Sequence, residues 1–253
     1  MSALRRTAFG ADALVLRAAD WGEYDKIVTL FTAERGKLSA ALKGVKRAGA
    51  KLKFAAQPFC FAEFVFVEKS GRNTVISASL HDGFYPLRED IACYYAAVVL
   101  CEACDRLLFE GIESPTLFLA AVRTLEALSS CAEGTGGEGR LEDGKSGSSY
   151  VLLQFLLTAL KEAGYPVSAG ECPHCGEQLS GRMRFDMESG AFGCAACGGG
   201  VPASESTYLA VRAALGQGGE ATADGVKRAL RLLSAYFSCK TSELPSLEEY
   251  LRL

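Results

Sequence analysis

Four of the ten cysteines fall in two equally spaced knuckles, Cys172-Pro-His-Cys175 and Cys194-Ala-Ala-Cys197, with eighteen residues between them. Two Cys-x2-Cys turns at that separation can bring four thiolates tetrahedrally around one ion, and the intervening chain is long enough for one β-hairpin. The pattern predicts strands over 183–186 and 191–192 across the turn Glu188-Ser189-Gly190, within a zinc-ribbon-like element spanning 170–200. Four thiolates, Cys172, Cys175, Cys194 and Cys197, close the coordination sphere. The Zn2+ expected there is therefore structural, stabilising a segment whose own core is too small to hold itself together. His174 sits inside the first knuckle and is not needed as a ligand.

A thiolate site needs reduced cysteines, and ten in 253 residues are too sparse for a disulfide framework. The expected compartment is the cytoplasm. Arg5-Arg6 ahead of an apolar stretch resembles an export signal, but Asp12 and Arg17 interrupt it and no small-residue cleavage site follows. No run of eighteen apolar residues is present, so no membrane span is expected. Cys101-Glu-Ala-Cys104 repeats the knuckle spacing without a second pair. It lies in a helical pattern with Cys93, where free cysteine serves as a small core residue.

The first eighty residues read as short strands at 13–16, 27–31, 36–42, 59–67 and 73–80, separated by polar turns. Five strands in so short a stretch suit a small barrel that closes its own edges, and the five-stranded OB-fold is the expected form. From Pro86 the apolar period becomes helical. Helices are expected over 88–109, 115–130 with Ser114 as N-cap and Pro115 in the first turn, 150–163, 204–215, 224–237 and 246–251. The chain thus reads as α+β and multidomain: an OB-fold domain at 1–82, then a mostly helical domain at 83–253 carrying the inserted zinc element. Residues 132–149, AEGTGGEGRLEDGKSGSS, are too rich in Gly, Ser and acids to bury much surface and are expected to form a flexible loop.

Charge is divided unevenly along the chain. Residues 1–80 carry 13 Lys+Arg against 7 Asp+Glu, whereas 81–253 carry 14 against 23, for a formal net charge of −3. A basic front joined to an acidic rear points to a polyanion-binding module attached to a domain with another task. The basic excess peaks over 35–53, where Arg35, Lys37, Lys43, Lys46, Arg47, Lys51 and Lys53 occur with no acid before Glu63. Seven cations without an anion make a phosphate track, and Gly44 and Gly49 permit a flexible loop whose backbone can approach a polyanion. A solvated basic loop with no ligand is the plainer alternative.

Catalytic constellations are missing from the sequence. The two histidines are His174 and His81, the latter expected as an exposed turn residue. Glu23 and Asp25 read as turn residues rather than a carboxylate pair, and Trp21 and Tyr24 as either base-stacking or core aromatics. Gly139-Arg-Leu-Glu-Asp-Gly144-Lys145-Ser146 matches the P-loop pattern literally, and the glycines from Gly134 to Gly139 match the dinucleotide pattern. Neither has the apolar strand that must lead into a phosphate-binding loop, and Glu142 and Asp143 would face the phosphates. A nucleotide hydrolase and a zinc-containing protein-interaction module remain as alternatives, the first requiring turnover that depends on Lys145.

The segments Ala13-Leu-Val-Leu-Arg17, Trp21-Gly-Glu23-Tyr-Asp25-Lys-Ile-Val-Thr-Leu30, Glu34-Arg-Gly36-Lys-Leu38, Lys43-Gly44-Val-Lys-Arg47 and Gln57-Pro58-Phe59 together resemble, in order and spacing, the amino-terminal signature of the bacterial RecO family of recombination mediators. The resemblance covers essentially the whole chain and is strongest over 10–80 and in the four-cysteine element. It implies an OB-fold, a helical domain and a zinc element. It also implies binding of single- and double-stranded DNA, annealing of complementary strands without ATP, and loading of RecA onto strands covered by single-stranded-DNA-binding protein together with RecR. A DNA repair protein at the bacterial nucleoid, with no catalytic residue, is the expectation. DNA contact carries over only to the seven cations of 35–53, and zinc ligation only to the four cysteines.

Overall fold

The computed structural model describes residues 7–134, 146–197 and 199–253. The chain divides into two compact units, the first comprising residues up to Tyr85 together with Cys104–Glu126, the second comprising Pro86–Ala103 and everything from Ala127 onward.

In the first unit, strands β1 (Thr7–Trp21), β2 (Asp25–Thr32), β3 (Gly36–Leu42), β4 (Phe61–Lys69) and β5 (Arg72–Asp82) close into a barrel of order β1-β2-β3-β5-β4. All pairings are antiparallel except the closing seam, where β3 and β5 run parallel through Ala40↔Asn73 and Ala41↔Thr74. This is the OB-fold arrangement expected from the strand count. Period-two alternation drives it: Leu38, Ala40 and Leu42 of β3 and Ala62, Phe64 and Phe66 of β4 point into a core shared with Val15, Val28 and Leu30. β1 is far longer than its apolar run at 13–16. It serves both neighbours, β4 along its first half and β2 along its second, and a register shift between Val15 and Arg17 bends it from one to the other.

Leu14 and Phe31 are buried although they lie on the barrel's outer face. Segment Cys104–Glu126 covers them. The ring of Phe118 meets Phe31 edge-on at 5.3 Å and Phe61 at 5.9 Å. The stretch 109–114 is stitched to the β2–β3 turn by Lys37 N–H to Phe109 O (3.2 Å), Gly111 N–H to Arg35 O (3.0 Å) and Ser114 N–H to Ala33 O (3.0 Å). Gly36 makes this possible: its φ is +58°, and a Cβ there would lie 2.2 Å from Ile112 O.

Helices α1 (Ile91–Leu107) and α2 (Pro115–Ala132) contribute to both units. Cys93 and Cys101 are buried core residues of α1, as is Cys104, so the second Cys-x2-Cys is packing. In the second unit, α3 (Ser146–Glu162), α4 (Glu205–Ala214) and α5 (Ala223–Lys240) pack on one another, and α6 (Pro245–Tyr250) closes the unit through Tyr250, whose hydroxyl lies 3.1 Å from Ser148 Oγ and 2.7 Å from Ser149 Oγ. α3 therefore begins four residues before the sequence-based start, and its first turn takes in part of the expected 132–149 loop; residues 135–145 of that loop lie outside the described residues. Ser204 and Thr222 cap α4 and α5 by accepting the N–H groups of Thr207 and Gly225. No described helix is long and apolar enough to cross a membrane.

Between α3 and α4 a small sheet of order β7-β6-β8 forms from β6 (Met183–Asp186), β7 (Ala191–Cys194) and β8 (Val201–Ala203). Its core is little more than Met183, Phe185 and Phe192. Phe185 packs edge-on against Tyr236 of α5 at 5.3 Å and Phe192 against Tyr208 of α4 at 5.4 Å, which anchors the ribbon on the helices.

Candidate nucleic-acid interface and metal centre

The hairpin β6–β7 ends at Cys194, and the turn before it holds the first knuckle. The four sulfur atoms of Cys172, Cys175, Cys194 and Cys197 lie within 4.8 Å of one another. A tetrahedral zinc with Zn–S of about 2.3 Å requires S···S edges near ~3.8 Å. Cys175 Sγ and Cys194 Sγ are 3.7 Å apart. The sulfur of Cys172 is buried and accepts the backbone N–H of Cys194 at 3.4 Å. This N–H and those of His174 and Cys175 hold the Cys172 thiol down at about 6. The crowding of sulfurs has the opposite effect on Cys197, where hydrogen bonding to Cys194 and Cys175 pushes the thiol up to about 12. Cys172 is thus held towards its thiolate and Cys197 towards its thiol. The donor set, spacing and backbone N–H···S contact fit a structural metal.

On the barrel, the basic segment departs from the expected flexible loop. Gly44 N–H donates to Asp25 Oδ1 at 2.7 Å, Lys46 N–H donates to Tyr24 O at 3.0 Å, and Val45 is buried in the barrel core. Residues 43–50 are turns fastened to the β1–β2 corner, so Asp25 is a positioning group rather than half of a carboxylate pair. The short 3-10 turn Phe54–Ala56 then plugs the barrel with Ala55 and Ala56 before β4.

The seven cations meet different fates. Lys37 Nζ donates to Asp105 O at 2.6 Å and pairs with Asp105 Oδ1 at 3.3 Å, beside Arg17. Lys46 pairs with Asp20 at 2.9 Å and holds that carboxyl below the usual carboxylate range. Arg35 lies over the Phe9 ring at 3.9 Å and Arg47 over Tyr24 at 5.0 Å, both with their guanidinium charge unpaired by any described carboxylate. Lys53 donates to Ala48 O at 2.8 Å. Lys43 and Lys51 are exposed.

Lys43 rims an open cleft of about 810 Å³ whose far wall is the β4–β5 turn, Lys69-Ser70-Gly71-Arg72. Lys69 and Arg72 are exposed and belong to this cluster, although 20 residues or more separate them in sequence from Lys43. A pair of cations flanking a Ser-Gly turn between two strands was the available signal, but only barrel closure puts that turn opposite Lys43. Of the sequence-derived alternatives, Trp21 and Tyr24 are exposed and not core. His81 belongs to β5 rather than a turn; its Nε2 lies 2.8 Å from Asp12 Oδ1 and its ring rests on Phe61. The P-loop-like match from Gly139 to Lys145 lies outside the described residues, and Ser146 opens α3.

Comparison with known proteins agrees with this geometry at both ends of the chain. Residues 7–84 match the family model described as "Recombination protein O N terminal", and residues 139–248 match "Recombination protein O C terminal". The DNA repair protein RecO of Myxococcus xanthus is 33% identical over 220 residues, covering 87% of this chain and 83% of that protein. That of Syntrophomonas wolfei is 30% identical over 220 residues, covering 85% and 81%. That of Desulfitobacterium hafniense (strain DSM 10664 / DCB-2) is 29% identical over 190 residues, covering 75% and 64%. With a five-stranded OB barrel under the first family match, and helices and a four-cysteine ribbon under the second, the chain belongs to the RecO family of DNA repair proteins.

Proposed function

We propose that this chain binds single- and double-stranded DNA through its barrel, anneals complementary single strands without nucleotide, and acts with RecR to help load RecA onto strands coated with single-stranded-DNA-binding protein at the nucleoid. The observation that supports DNA binding most directly is the barrel cleft rimmed by Lys43, Lys69 and Arg72, with Arg47, Lys51 and Lys53 following Lys43 in the chain and Arg35 at the opposite end of β3. The backbone around Lys43, Lys46 and Arg47 is held by hydrogen bonds, so little backbone entropy is lost there when phosphates bind and the cost is that of ordering the long side chains. On this reading 1–82 is the DNA-binding domain and 83–253 the domain that meets protein partners.

Annealing needs no covalent chemistry and no catalytic residue, because base pairing supplies the driving force. The protein has to lower the repulsion between two phosphate backbones and leave the base edges accessible. Contacts to phosphate do both, and they carry little sequence preference. Cys172, Cys175, Cys194 and Cys197 would hold Zn2+, which supplies a cross-link between the two knuckles and no reactive position.

The test is annealing of two labelled complementary oligonucleotides coated with the cognate single-stranded-DNA-binding protein, without nucleotide, across a salt series. Acceleration that fades as salt rises is the expected result. Zinc-loaded, folded protein that binds DNA yet gives no acceleration overturns the annealing role.

A further inference from the structure

We propose that Trp21 is a base-stacking platform that distinguishes single-stranded DNA from duplex, an inference that rests on the DNA-binding reading above and assigns a specificity residue within it. Trp21 is the only tryptophan of the chain and is 62% exposed. An indole left in water forgoes the largest hydrophobic gain any side chain offers, so its place at the surface calls for a use. It stands at the last position of β1, paired across the corner with Asp25, immediately before Gly22 with φ +69°.

The corner that carries it is rigid. Asp25 accepts the Gly44 N–H, the Lys46 N–H reaches Tyr24 O, and Asp20 takes both Lys46 (2.9 Å) and Lys26 (3.7 Å). The neighbouring ring of Tyr24 already has the Arg47 guanidinium over it, whereas among the described residues the indole takes no cation or aromatic neighbour. Trp21 lines the 810 Å³ cleft together with Asp25, Ile27 and the small residues Ser39, Ala40, Ala41 and Thr74 of the parallel β3–β5 seam. Small side chains there leave room for a planar ring, while Lys43, Lys69 and Arg72 stand on the rim. A planar aromatic face, a lining whose one acid, Asp25, is engaged by the Gly44 N–H, and the cations Lys43, Lys69 and Arg72 together fit a nucleobase with its flanking phosphates.

Bases in a duplex are already stacked on both faces and present only their edges in the grooves, so a duplex can meet the cations but not the indole. A single strand can meet both. A base stacked on Trp21 by one face keeps its pairing edge free for an incoming strand, and the continuous stacking of the finished duplex then displaces the indole. The same residue thereby favours the unpaired substrate and releases the paired product.

Because residue 21 is the sole tryptophan, its emission reports this contact alone. The full-length, zinc-loaded protein is titrated with a dye-labelled thymidine oligonucleotide, with a labelled duplex and with inorganic polyphosphate. Label anisotropy (competition for the polyphosphate) reports binding anywhere, and tryptophan emission reports contact at residue 21. Strong quenching by the single strand, with binding but little quenching by duplex and polyphosphate, is expected. Trp21→Ala should weaken single-strand binding by about fivefold to a hundredfold, with duplex binding moved less than about twofold, and Trp21→Phe should keep most of the affinity. Single-strand binding without quenching, or equal loss of single-strand and duplex affinity in Trp21→Ala, overturns the inference and leaves the DNA-binding reading standing. If no DNA changes the anisotropy at all, the DNA-binding reading falls and takes this inference with it.

Discussion

At the scale of single residues, the charge of a lysine matters less than what its ammonium group already meets. Lys37 and Lys43 both belong to the basic run, but Lys37 is held by two oxygens of Asp105 and Lys43 faces an open cleft. Lys37→Gln should therefore leave the salt dependence of single-strand binding nearly unchanged. The triple change Lys43→Gln, Lys69→Gln and Arg72→Gln should flatten the log–log slope by about 2, at roughly 0.7 for each phosphate no longer neutralised. Fluorescence anisotropy across a salt series measures both, and an unchanged slope in the triple variant removes the cleft from the site. A second prediction concerns Gly36. Its positive φ brings it against Phe109 O and Ile112 O, where a Cβ would stand 2.6 and 2.2 Å from backbone atoms that cannot swing away. Gly36→Ala should cost roughly 2 to 3 kcal/mol of barrel stability, read by denaturant unfolding followed by circular dichroism.

At the scale of elements, what the sequence reveals depends on how local the cause is. β3 is legible to the residue because Gly36 and the alternation up to Leu42 define both its ends and its faces. The ribbon hairpin is legible because two knuckles and a Glu-Ser-Gly turn leave it one register. Strand β8 escapes detection: Gly199, Gly200 and Pro202 read as strand breakers. Yet Gly200 is needed where a Cβ would stand 2.1 Å from Phe185 O, and Pro202 is tolerated because β8 is an edge strand. The cover that Cys104–Glu126 gives the barrel is likewise illegible, since its cause is a long-range contact of Phe118 with Phe31 and Phe61. So is the neutralisation of Lys37 by Asp105, 68 positions away. The ribbon itself carries a prediction. Its apolar core is three side chains, so its order should depend on metal, and each tenfold rise in free zinc above the dissociation constant should stabilise it by about 1.4 kcal/mol. Chelation should abolish this dependence, as should Cys172→Ser. Cys175 and Cys197 both lie above the ordinary thiol value of 9.0 without metal and so carry protons at neutral pH. Zinc must displace them. Loading at pH 7.5 should release about two protons or more per ion, and affinity should fall about a hundredfold per pH unit on acidification. Calorimetry in buffers of different ionisation enthalpy counts the protons, and uptake of zinc without proton release excludes these thiols as ligands.

At the scale of the whole molecule, the uneven charge sets a ceiling on how strongly binding can respond to salt. The slope counts cations that touch phosphate, not net charge, which is why a chain at −3 can still be a DNA-binding protein. Residues 81–253 hold 23 acids against 14 bases and are expected to add few phosphate contacts. The barrel offers Arg35, Lys43, Arg47, Lys51, Lys53, Lys69 and Arg72 as cations without a described carboxylate partner. If all seven met phosphate, the slope on single strands could not exceed ~5, and on duplex ~6, since each phosphate neutralised contributes about 0.7 and 0.9 respectively. The ratio of the two slopes is more telling than either value. One set of barrel cations serving both forms of DNA requires a single-strand slope about 0.8 of the duplex slope, whatever fraction of the seven takes part. Titrations of the same preparation with a single strand and its duplex, over one salt range, give that ratio directly. A value near 0.8 with both slopes under the ceiling is the result expected of one shared set of barrel cations. A ratio far from ~0.8 excludes one shared set of cations, and a duplex slope well above ~6 requires cations beyond these seven, either Arg5, Arg6 and the ion-paired Arg17, Lys26, Lys37 and Lys46 of residues 1–80 or bases of residues 81–253.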